Sequence, residues 1–431
     1  MLEAYHGTYQ SISPLPSPLA LPDDMLDDDL PPLDMPGSFG DGGGGGGAEA
    51  RERVRFPGGA GLGAGLLSPT TPASAGGGGG ARRKEKRAKI YDATEDALAI
   101  VDALSGRHVD PEPLVGILPQ LSHDQLMELR AEYKRVCKVQ GRGINVAKHI
   151  KMKCSAGSNF GKIAYVTALG RWESEAYWAN FWYQSNGARR ELLIESLMGR
   201  SNAEIREIKD AFRDKRYGDS LSRCMDKELR ADKFRTAVLL ALEERRQEET
   251  DRLPVEYRNR DVDILYQSLH GRDRSESTML GVVVTRSDAH LREVLRTYER
   301  KYQENFARAA LKRSNNLVGE VIAHILNGVI NRPARDALLM RHALSDLLDD
   351  PPSNPRSSSV AVRPSSSRQD RRQRHELLIS RLVRLHWDRP HWARVKAEYR
   401  DRYGAHVEDD IEDATRGDFR EFCLSLCEAG R

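Results

Sequence analysis

One segment occurs four times in this chain. LSHDQLMELRAEYKRV (121–136), RSNAEIREIKDAFRDK (200–215), RSDAHLREVLRTYERK (286–301) and HWDRPHWARVKAEYRDR (386–402) align on an aromatic residue: Tyr133, Phe212, Tyr298 and Tyr399. Seven residues earlier stand Leu126, Ile205, Leu291 and Trp392; four residues earlier stand Leu129, Ile208, Val294 and Val395. The aromatic positions lie 79, 86 and 101 residues apart. A low-complexity stretch at 349–374 accounts for the last, longer interval. A period near 80 residues is too long for one hairpin and implies a multi-helix unit whose copies stack on a shared core.

From about residue 90 the chain is helical in pattern. EDALAIVDAL, EIREIKDAFRDK, HLREVLRTYERKY and WARVKAEYRDRY place apolar residues at i, i+3/i+4 and i+7, and alternating β-branched runs are almost absent. The flanks of the aligned segment match too: RRELLIESLMGRS resembles RHELLISRLVRL, and YGDSL…ADKFRTAVLLAL resembles YGAHV…RGDFREFCLSL. These matches predict about five helices per unit and an all-α body.

Composition separates that body from a tail. Residues 1–81 hold 19 of the 36 glycines and 10 of the 20 prolines. They bury too little apolar surface to offset the entropy of ordering, so a disordered tail is expected. Its acidic and apolar stretch, 11–36, reads as a solvated segment or as a docking peptide for a protein partner. RRKEKRAK (82–89) reads as a nuclear-import address, an anchor for anionic surfaces, or a charged lead-in to the first helix. Residues 349–374, with six arginines between 351 and 374, read as a cationic disordered insertion.

Several function classes drop out. The net charge of +3 argues against a dedicated nucleic-acid binder. No run approaches 18 apolar residues, and MLEAYHGTYQ lacks the form of a signal peptide. Five scattered cysteines form no CxxC pair and read as free thiols in a reducing compartment. No HExxH, GxSxG or phosphate-binding glycine loop is present, so no enzyme is expected. Trp178 and Trp182 share a helical face, read as core with membrane-interface insertion as the alternative.

The repeat resembles the annexins, in the manner of a divergent, fungal-type member. ELLIESLMGRSNAEIREIKDAF, LYQSLHGRDRSES…RSDAHLREVLRTYERKY and VKAEYRDRYGAHVEDDIEDATRGDF carry the resemblance. It implies a curved all-α disc of four five-helix repeats: 89–170, 171–250, 251–332 and 333–431, the last holding the insertion, with 1–88 as the tail. It further implies a cytoplasmic protein, peripheral to membranes, that docks calcium and acidic phospholipid.

The calcium loop of that family pairs a Gly-x-Gly-Thr turn after the first helix with a carboxylate about 40 residues later, a set of oxygen ligands suited to a hard cation. This sequence departs from it in every repeat. The glycines that remain are Gly106, Gly187 and Gly271; the distal acids that remain are Glu228, with Asp226 beside it, and Asp413, with Asp410 and Glu412. Calcium, if held, is held at low affinity. Basic residues replace the lost loop positions: Arg107 and His108, Arg189 and Arg190, Arg272 and Arg274. Guanidinium groups bind phosphate directly, which points to acidic lipid bound with little need of calcium. The alternative is a non-catalytic scaffold whose repeats and tail recruit protein partners.

Overall fold

The computed structural model describes residues 91–428, save 156, 185–189, 272–274, 315 and 349–367, and gives backbone alone at 182–184, 346 and 368–373. The expected tail, 1–88, with its basic end, lies outside the described residues, as does most of the expected insertion.

Helices dominate, and they fall into four groups of five. The first group is α1 (Ala93–Ser105), α2 (Pro111–Ile117), α3 (His123–Val136), α4 (Val146–Lys153) and α5 (Asn159–Leu169). The second is α6 (Arg171–Gln184), α7 (Glu191–Leu197), α8 (Asn202–Ala211), α9 (Leu221–Glu228) and α10 (Lys233–Leu242). The third is α11 (Val255–His270), α12 (Glu276–Thr285), α13 (Asp288–Tyr302), α14 (Phe306–Arg313) and the first part of α15 (Leu317–Leu348). The rest of α15 opens the fourth group, followed by α16 (Arg368–His386), α17 (Arg389–Tyr403), α18 (Val407–Ala414) and α19 (Gly417–Glu428). Among the described residues the sole sheet is a hairpin pairing β1 (Lys138–Val139) with β2 (Arg142–Gly143), antiparallel.

Local chemistry sets these boundaries. The aligned segment is the third helix of each group. It starts at Ser122, Ser201, Ser287 or Asp388, whose side chain accepts a backbone N–H of the first turn. Two of these starts are reciprocal capping boxes, Ser122 with Gln125 and Ser201 with Glu204. The break inside α15 falls at Asn331, whose backbone is extended (φ −154°, ψ 95°). Its side chain accepts from the Ala334 N–H at 3.0 Å, and Pro333 sits where a first helical turn tolerates it. Asn331 therefore ends the third group and caps the fourth.

All twelve aligned positions, from Leu126 through Tyr399, are buried. They feed two apolar clusters. One joins groups 1 and 4 with Trp178, Phe181 and Leu192 of group 2; the other is built from groups 2 and 3. Trp178 is core, at 1% exposure. The five cysteines are free thiols. The insertion needs correction: helix α16 already begins at Arg368, inside the stretch expected to be disordered. RQDRRQR lacks glycine and proline and consists largely of good helix formers. The buried ELLISRL that follows anchors a helix, which then extends backwards at little cost.

Candidate functional site

The fourth helix of every group has eight residues, and its last residue is Lys153, Glu228, Arg313 or Ala414. In groups 1 and 3 this end meets the C-terminal end of the first helix or the loop after it. In group 1 that loop leaves α1 at Gly106 and is closed by the Asp110 N–H on Ala103 O at 3.0 Å. The chain folds back tightly: a Cβ on Gly106 would lie 3.1 Å from the His108 carbonyl oxygen. Lys153 Nζ donates to Gly106 O at 3.2 Å and to Ser105 O at 3.4 Å. Arg107 and His108 are exposed beside it, as are Lys148, Lys151 and Lys153 on α4. Between the last two stands Met152, 58% exposed. Lys151 Nζ lies 5.1 Å from the centre of the Tyr165 ring.

Group 3 repeats the arrangement with a guanidinium. Arg313 Nη1 donates to Leu269 O, in the last turn of α11, at 2.5 Å. Gly271 follows that turn; a Cβ there would collide with Gln267 O. Beyond it Glu276 accepts from Lys233 Nζ at 2.7 Å, Ser314 Oγ at 3.0 Å and Asn316 Nδ2 at 3.2 Å. Burial works against its charge, but these donors outweigh it and hold the carboxyl below its ordinary range. Arg272 and Arg274 lie outside the described residues.

Groups 2 and 4 keep acids nearby. Glu228 accepts from Tyr217 OH at 2.7 Å, and Asp226 pairs with Arg235. Gly187 and Arg189 lie outside the described residues. Arg190, expected as a loop cation, is instead buried at the start of α7. It directly precedes a helix whose seven residues are all buried, so its charge is withdrawn from solvent. In group 4, Asp410 is held by Arg341 Nη1 at 2.6 Å and by Tyr399 OH, while Asp413 is exposed. Ala414, rather than Asp413, ends α18. Of the six arginines assigned to the insertion loop, Arg368, Arg371, Arg372 and Arg374 belong to α16.

Calcium ligation can be judged from these donors. Among the described residues no three His, Cys, Asp or Glu side chains converge as metal ligands. Groups 1 and 3 do not fit the ion, because a basic side chain stands where a carboxylate is needed. Group 2 alone places a carboxylate, Glu228, at the end of its fourth helix.

A second charged assembly escaped sequence reasoning. Its members Glu175, Glu195, Arg200 and Arg384 line a polar crevice between groups 2, 3 and 4. Arg381 and Glu195, each 2% exposed, are joined at 2.6 Å. Arg384 bridges Glu195 Oε2 at 3.0 Å and Glu175 Oε1 at 2.7 Å, and Arg200 reaches the same Glu175 oxygen at 2.7 Å. Burial raises the Glu175 pKa, yet Arg384 and Arg200 outweigh it and keep the carboxyl ionised. Nearby, His391 Nε2 meets Asp336 at 2.7 Å, and His290 meets Asp261 at 2.8 Å in the equivalent place of group 3. The signal was present in the sequence. Glu195 in ELLIESL and Arg381 and Arg384 in ISRLVRL interrupt apolar runs at positions that the helical period buries.

Comparison with known proteins bears on the fold. The annexin family model matches residues 260–312. Annexin C1 of Cryptococcus neoformans var. grubii is 22% identical over 342 residues, covering 78% of this chain and 66% of that protein. Human Annexin A7 is 24% identical over 257 residues, covering 59% of this chain and 50% of that protein. The chain thus spans about half to two thirds of the length of these relatives. The solved structure of Annexin III superposes with a TM-score of 0.63 at 21% identity, covering 79% of this chain and 95% of that one.

Proposed function

This chain belongs to the annexin family, and we propose that it binds acidic phospholipid surfaces peripherally with little dependence on calcium. Among the described residues no helix is long and apolar enough to cross a membrane.

The observation that carries the reading is the end of group 1. The Lys153 contact ties the α1–α2 loop to the tip of α4; Arg107 and His108 on that loop and Lys148, Lys151 and Met152 on that helix are all exposed. Each cation near an anionic leaflet contributes about 1 kcal/mol. Phosphate oxygens match the donor geometry of arginine and lysine without a bridging ion. An exposed thioether among cations can enter the boundary between headgroups and acyl chains, where an apolar group gains by leaving water.

Co-sedimentation with phosphatidylserine vesicles tests this. Retention is expected in the presence of chelator at low salt. It should fall steeply as the screening length drops from about 10 Å at 0.1 M to about 3 Å at 1 M. Vesicles of phosphatidylcholine alone should retain little. Release by chelator at low salt would overturn the reading, and a non-catalytic scaffold would stay in the supernatant in every arm.

A further inference from the structure

The four units place one residue in one register: the last residue of an eight-residue fourth helix. Glu228 holds that place in unit 2, Ala414 in unit 4, and a cation in units 1 and 3. Both cations are spent on main-chain oxygens of the neighbouring loop or helix end. Lys153 takes Ser105 O and Gly106 O, and Arg313 takes Leu269 O. Those oxygens belong to the last turn of α1 and α11 and the residue after it. A helix leaves its final carbonyls without intrahelical partners there, and its dipole is negative. Such an end attracts a cation of any kind, bound or tethered.

We infer that Lys153 and Arg313 are resident cations that take the place of calcium in units 1 and 3: Lys153 holds the loop at 105–109 in its set form, Arg313 occupies the carbonyl end of α11, and each keeps out the free ion. Unit 2, with Glu228, is then the one unit among the described residues where a soluble divalent cation finds a carboxylate at this position. The inference rests on the membrane reading only for what the loops face; the cation exchange itself is a property of the protein in solution.

The test uses the full chain and calcium alone. Lys153→Glu, Lys153→Glu with His108→Gly, Arg313→Glu and Lys153→Met are titrated with calcium by calorimetry, and their melting temperatures are read with and without the ion. The glutamate variants should each gain a binding event that the parent lacks and a calcium-dependent rise in melting temperature. Lys153→Met should gain neither. Amide exchange at residues 105–109 should be slow in the parent, faster in Lys153→Met, and slowed again by calcium in the Lys153→Glu, His108→Gly protein. If no glutamate variant responds to calcium, or if Lys153→Met exchanges as slowly as the parent, the assignment is wrong. Vesicle binding by the parent in chelator, measured separately, decides the membrane reading whichever way calorimetry falls.

Discussion

Glu195 and Arg381 face each other at 2% exposure in the polar seam, whereas Arg107 and Lys151 stand in solvent at the tip of unit 1. The residue types are the same, but the surroundings reverse their use. In the seam each charge has lost its water, so its value depends on every partner being present. At the tip each charge keeps its water and contributes almost nothing to folding, and it is therefore free to meet an external anion. A search for function among the buried charges would look where the molecule is least able to change.

The largest expected effect comes from breaking the seam. Arg381→Met leaves Glu195 buried without its main partner and should cost about 3–5 kcal/mol of unfolding free energy, read by urea denaturation. Replacing both Glu195 and Arg381 by leucine should recover most of that loss, since a well-packed apolar pair is often no worse than a buried ion pair. A loss under about 1 kcal/mol for Arg381→Met would show the seam to be more hydrated than the contacts indicate.

Acid should weaken the interior before it touches the tip. Burial, and then the charge of Arg389, lowers the His386 pKa to about 4. His324 is lowered in the same direction by burial and by Arg335. The unfolded chain binds protons at these histidines from about pH 6.5 downward, and the folded chain does not until lower pH. Stability is therefore fully present above pH 6.5 and is lost as pH falls towards 4; His386 alone accounts for about 3 kcal/mol at most. Thermal melts between pH 7 and 4.5 check this, and a His386→Gln variant should show a shallower slope.

The tip should show the opposite profile. Arg107→Ala combined with Lys151→Ala should weaken binding to phosphatidylserine vesicles by about 2 kcal/mol, roughly thirtyfold. Its unfolding free energy should stay within about 0.5 kcal/mol of the parent. A stability loss as large as that of Arg381→Met would erase the distinction between the two regions. The smallest effect is expected for Asp413→Asn, where an exposed carboxylate precedes the end of α18. Calorimetry with calcium should be unchanged within error, and a lost binding event would return unit 4 to the calcium-binding candidates.

Much of the fold was legible because burial repeats. Twelve aligned side chains at helical spacing, with capping residues ahead of them, specify the third helix of each unit independently of its neighbours. The insertion was misjudged at its end, because composition is averaged over a window while a helix extends residue by residue from its buried anchor into RQDRRQR. The candidate site was legible only as a list of substitutions. The want of a distal acid in KCSAG and KRSNN announces a missing ligand, but not that Lys153 reaches Gly106 O or that Arg313 reaches Leu269 O. Arg190 was read as a loop charge for the same reason, since a residue at a loop–helix junction can turn either way.

The local pattern alone determined that this chain builds four helical units, where their third helices start, and that their loops are poor in acids. Those properties depend on hydrogen bonds and burial within about 80 residues, which a periodic pattern encodes. Tertiary structure alone decided that Glu195 meets Arg381 across 186 positions, and that Lys153 reaches a carbonyl 47 residues away. Charge pairing has no period along the chain. It depends on which helix faces which, and that is settled only when the apolar stripes of different units have packed.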